Sequence, residues 1–68
     1  MQIVPGDIVH YRSFDGGLRV VKVTLHDDDI HNGRPGFEGH LVHAPSAAVW
    51  NYDDRVELII KARVPLAA

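Results

Sequence analysis

Apolar and polar side chains alternate with a period of two along much of this chain, and that period predicts strands. It is clearest from Leu18 to His26, where Val21, Val23 and Leu25 fall on one face and Lys22, Thr24 and His26 on the other. No three- or four-residue spacing organises those apolar positions, which argues against a helix. Asp7–Arg12, β-branched and aromatic, follows the turn pair Pro5-Gly6 and predicts a first strand. Ser13–Gly17 ends in Asp-Gly-Gly, able to take the positive φ angles of a hairpin. A third strand is predicted over Phe37–Ala44, with Gly39 marking a bulge, a short fourth over Ala47–Tyr52 and a fifth over Val56–Ile60. Between them, Asp27–Gly36 reads as a polar loop, Pro45-Ser46 as a turn and Asp53–Arg55 as a single 3₁₀ turn. Lys61–Ala68, which contains Pro65, reads as a loose tail.

Five short strands without a helix predict an all-β chain closed into a small barrel, since closure removes exposed sheet edges. The expected core is Val9, Tyr11, Val21, Val23, Leu25, Leu41, Val49, Val56 and Leu58, with Phe37 as a lid. The order of parts resembles an SH3-like barrel with a short 3₁₀ turn before its last strand. Pro5-Gly6-Asp7-Ile8-Val9 and Val49–Val56 (VWNYDDRV) carry that resemblance, which spans nearly the whole chain. It implies an architecture and leaves function open, because such barrels host many unrelated activities.

At 68 residues the chain has room for one domain. Without Cys it has no disulfides, thiolate nucleophile or Cys-ligated metal. No apolar run exceeds four residues, and the first residues carry neither a basic stretch nor a long apolar one. A membrane span and a signal peptide are therefore not expected, and the expected location is the cytoplasm. Seven basic against nine acidic residues give a net charge of −2, which argues against a dedicated nucleic-acid binder. The preference for Arg over Lys, with abundant Val, Ala and Gly, fits a GC-rich bacterial genome or one of its phages.

Within the SH3-like class the chain is similar to the plasmid-type, trimethoprim-insensitive dihydrofolate reductases, short chains whose four copies surround one active-site pore. Gly6-Asp7-Ile8-Val9 and Val49-Trp50-Asn51-Tyr52 carry the similarity. In that family the second segment reads Val-Gln-Ile-Tyr and lines the pore, so Val49 and Tyr52 match while Trp50 and Asn51 depart. Arg12 is the residue that would stand at the pore mouth. A Trp repeated four times would fill such a pore, so the similarity favours assembly over reductase chemistry.

Three groups of residues are candidates for function. Trp50 and Tyr52 share strand parity; with Val49 facing the core they form, with Tyr11 and Phe14, the expected aromatic partner surface, the alternative being that Trp50 itself fills an interior short of large side chains. Ile8, Val20, Val42 and Ile59 are apolar where parity points them away from the core, so they are the expected self-association surface. His26, Asp27, Asp29 and His31 have the side chains of a metal site. Their spacing, however, fits a calcium loop poorly, because Asn32 stands where Gly is required and Pro35 interrupts the segment. Asp side chains building turns explain that cluster without a metal. No Ser stands beside a His in a nucleophile motif. The sequence thus predicts a small non-enzymatic binding module without cofactor, an accessory protein of a phage or mobile element that contacts a host protein. The alternatives are a KOW- or Tudor-like nucleic-acid module and a small oligomeric reductase.

Overall fold

The computed structural model describes residues 2–62. They form five strands, β1 (Ile8–Arg12), β2 (Leu18–His31), β3 (Arg34–Leu41), β4 (Ala44–Tyr52) and β5 (Val56–Ile60), with a 3₁₀ turn, η1 (Asp53–Arg55), before the last. All lie in one antiparallel sheet in the order β4-β3-β2-β1-β5. The expected all-β architecture and the 3₁₀ turn are present. β4 and β5 are the two edges and do not pair with each other, so the sheet is open where a closed barrel was expected. Because η1 is three residues long, the end of β4 and the start of β5 lie close together, and both reach the end of β1, where Asn51 and Arg55 donate to the Arg12 carbonyl.

Two boundaries differ from expectation. Asp27–Gly36 is no loop: β2 runs on to His31, β3 starts at Arg34, and Asn32-Gly33 joins them. Both turn residues have positive φ, 56° and 73°, as a two-residue hairpin turn requires. Pro45-Ser46 lies inside β4, and the turn before it is Val42-His43. Pro is tolerated there because β4 is an edge strand.

The core consists of Ile3, Val9, Tyr11, Val21, Val23 and Phe37, with Leu41, Val49, Val56 and Ile59 packed against it. Phe37 is fully buried rather than a lid, and meets Tyr11 edge to face at 5.2 Å. Burying each such side chain stabilises the fold by about 1.5–3 kcal/mol. Leu25 and Leu58, expected inside, are 44% and 51% exposed. Bulges turn them out. The β2–β3 register slips between Val23 and Leu25, opposite Gly39, and the β1–β5 register slips between His10 and Tyr11. Val56 and Ile59 therefore both face the core, while Leu58 faces solvent.

Ile3 enters the core because Val4–Asp7 forms a turn around Pro5-Gly6, closed by the Asp7 amide donating to the Val4 carbonyl at 3.1 Å. Gly6 takes φ 96° there, a conformation that favours glycine. The buried Asp7 carboxylate then accepts from the Val4 amide (3.0 Å), the Ala62 amide (2.9 Å) and the Lys61 ammonium (2.6 Å). The start of the expected loose tail is thus fastened to the turn before β1; residues 63–68 lie outside the described residues. Among the described residues, no helix is long and apolar enough to cross a membrane.

Candidate functional site

The loop Ser13–Gly17 carries Phe14, 61% exposed, at the tip of the β1–β2 hairpin. Its backbone is held from both sides. Inside the loop, the Ser13 amide donates to the Gly17 carbonyl at 2.8 Å and the Gly16 amide to the Ser13 carbonyl at 2.9 Å. The Asp15 carboxylate accepts from the Ser13 hydroxyl and the Gly17 amide, with Arg19 beside it, and these partners hold its pKa below the usual carboxylate value. From the opposite side, Arg55 donates to the Arg12 and Ser13 carbonyls at 3.2 and 2.9 Å, and the Asn51 amide group to Arg12 at 3.3 Å. Phe14 is therefore presented on a fastened loop, a geometry that lowers the ordering cost of binding.

Trp50 stands against it on β4. The Phe14 and Trp50 rings meet edge to face at 5.3 Å, and Trp50 meets Tyr52 the same way at 5.3 Å. Trp50 is half-buried, but Tyr52 and Tyr11 are buried and are not the exposed partner residues expected. Tyr52 supports the pair from behind, its ring 6.2 Å from that of Phe14. Burial pushes the Tyr11 phenol above its ordinary pKa.

The tip of the β2–β3 hairpin packs onto the same cluster. His31 stacks on Trp50 at 5.0 Å, the Asn32 amide donates to the Tyr52 hydroxyl at 3.3 Å, and the Arg34 guanidinium lies 3.8 Å from the Tyr52 ring centroid. Arg34 also pairs with Asp54, and His26 Nε2 is 2.8 Å from Asp53 Oδ2, so the hairpin is tied to η1 as well. Sequence reasoning missed the contribution of Asn32 and Arg34. The signal was the Asn32-Gly33 pair, which marks a tight turn and so a folded arm in place of a loop.

The metal candidates do not converge. His26 is turned to Asp53, and His31 lies on Trp50. Asp27 accepts the Asp29 amide at 2.8 Å and Asp29 the Gly33 amide at 2.7 Å, the turn-building role of Asp. Among the described residues no group of three His, Asp or Glu is placed to hold a metal ion.

A groove of about 430 Å³ opens beside the aromatic pair, lined by Tyr11, the 13–15 loop and Arg19 on one side and by Ala48–Asn51 on the other. On the sheet's outer face, Ile8 and Val20 are half-buried and Val42 is exposed, whereas Ile59 is turned inward. Leu58 and Ile60 extend that face: Ile60 pairs with Ile8, and Leu58 with His10 across from Val20. Basic side chains are largely committed. Arg12 pairs with Glu57, Arg19 with Asp15, Arg34 with Asp54 and Lys61 with Asp7, while Arg55 serves backbone carbonyls. Comparison with known protein families, characterised proteins and solved structures finds no match to this chain.

Proposed function

We propose that the chain is a non-enzymatic binding module of SH3-like design that contacts a protein through the groove between Phe14 and Trp50. The observation that carries this is an exposed phenylalanine on a fastened loop, packed edge to face against the chain's single Trp beside an open groove. Large aromatic side chains bury much area at low entropic cost and anchor interfaces for that reason. Nucleic acid is disfavoured by the acidic partners of Arg12, Arg19, Arg34 and Lys61, which offset the positive charge that phosphates would need. A reductase is disfavoured because the Asn51 side chain, at a position that would line a pore, is buried and bonded to Arg12 and Tyr52.

Affinity capture from bacterial lysate tests the proposal, using the wild-type protein and Phe14→Ser after nuclease and high-salt treatment. Phe14 is exposed, so its loss leaves the core intact. Proteins retained by the wild type and lost with Phe14→Ser support the reading; recovery of RNA or DNA alone overturns it. A second reading, self-association, is favoured by the apolar outer face on which Leu58 and Ile60 are about half exposed.

A further inference from the structure

Four consecutive residues of β4, Ala48 to Asn51, line the groove. Successive strand residues point to opposite faces, so a groove touching four in a row runs along the strand's edge. β4 is an edge strand, and three contacts fix which of its main-chain groups face outward. The Tyr52 amide donates to Asn51 Oδ1 at 2.8 Å, so it is turned away from β3. The Thr24 hydroxyl of β2 donates to the Glu38 carbonyl at 3.3 Å, so the main chain of Glu38, which lies opposite Trp50, is turned toward β2. A Cβ built on Gly36 of β3 would strike the Asn51 carbonyl, which therefore points at β3. In an antiparallel strand these directions alternate from residue to residue. Ala48 and Trp50 accordingly present their N–H and C=O groups to the groove.

We propose that the groove takes an extended peptide segment, added to β4 as a sixth strand by main-chain hydrogen bonds to Ala48 and Trp50. An apolar side chain of the peptide lies against Phe14 and Trp50. Strand addition of this kind draws affinity from the backbone and specificity from alternate side chains. The proposal rests on the groove being the partner surface. Its length is bounded by the structure: the β3–β4 register slips between Ala48 and Ala44 and ends the regular edge on one side, and the Asn51 and Arg55 bonds to the Arg12 and Ser13 carbonyls close the other. A groove of about 430 Å³ suits a short linear segment, whereas a second copy would have to bring a whole sheet into it.

The probe is a display library of random linear decapeptides selected against the immobilised protein, with the winners synthesised and titrated by Trp50 fluorescence. Each winner is then N-methylated one residue at a time. Strand addition predicts that methylation at alternate residues weakens binding about tenfold or more, while the residues between tolerate it. Ala48→Pro removes one outward N–H on an edge strand, where Pro is tolerated. It should weaken binding similarly with an unchanged circular dichroism spectrum. The Ala48 and Trp50 amides should also gain hydrogen-exchange protection in the complex of the unsubstituted protein. Peptides that change Trp50 fluorescence but tolerate methylation throughout, leaving both amides unprotected, overturn strand addition and keep the groove. Failure to select any binder, or binders indifferent to Phe14→Ser, overturns both.

Discussion

Replacing Asp7 by Asn should remove a large part of the chain's stability at neutral pH. The carboxylate is fully buried and accepts from Val4, Lys61 and Ala62, joining the N-terminal turn to the residues after β5. Burial pushes its pKa up, but the Lys61 ammonium and the two amides outweigh that and hold it below the ordinary value of 3.8. Asn keeps one acceptor, loses the charge and turns an NH₂ group toward the donors. Hydrogen bonds to a charged group contribute about 1.5–3 kcal/mol each, and the exposed Lys61 contributes less than the amides, so Asp7→Asn should cost about 2–4 kcal/mol. Against a total of roughly 3–10 kcal/mol for a chain this long, that is a substantial share. Lys61→Met should cost about 1 kcal/mol. A group whose pKa is depressed on folding contributes stability above its unfolded pKa and loses it as pH falls through the folded one. The gap between wild type and Asp7→Asn should therefore be widest near neutrality and shrink as the carboxyl protonates. Urea unfolding followed by Trp50 fluorescence measures it. A cost below about 0.5 kcal/mol at pH 7, or a gap that does not shrink in acid, would refute the reasoning.

Gly39→Ala should prevent stable folding, because the added Cβ would strike the Lys22 carbonyl at the β2 bulge; thermal unfolding by circular dichroism checks it. Gly33→Val places a β-branched residue at φ 73° and should cost about 1–3 kcal/mol, read by urea unfolding, although nothing crowds the position sterically. If the outer face drives self-association, light scattering at high micromolar concentration should give a mass above that of one chain. Ile8→Asp, beside Ile60 on that face, should return it to the monomer without changing the circular dichroism spectrum.

Strand identity was legible wherever alternation was unbroken. β1, the loop after it, η1 and β5 could be placed from Asp7–Arg12, Ser13–Gly17 and Asp53–Ile60. What could not be read was parity across a bulge. The extra residue Thr24 on β2 turns Leu25 outward, and the slip at Glu57 on β5 brings Ile59 in and sends Leu58 out. Bulges depend on a partner strand's register, which one strand's sequence does not encode. The β2–β3 hairpin was hidden for another reason. Three consecutive Asp and a Pro-Gly pair have loop composition, and they outweighed the two-residue Asn32-Gly33 signal. Strand parity paired Trp50 with Tyr52; the contact of Phe14 with Trp50 depends on where the β1–β2 loop folds, and the packing of His31 on Trp50 on the position of the β2–β3 hairpin. Tyr11 and Tyr52 were buried by demand: the chain has two Phe and one Trp, so its tyrosines also fill the interior.

Amide chemical-shift mapping locates most directly where a partner touches the sheet. A protein captured by the wild type is purified and titrated into isotope-labelled chain. Binding at the groove predicts shifts concentrated at Phe14, Asp15 and Ala48–Asn51, with the outer-face residues Ile8, Val20, Val42, Leu58 and Ile60 unmoved. Shifts centred on the outer face, with Phe14 and Trp50 unmoved, would contradict it.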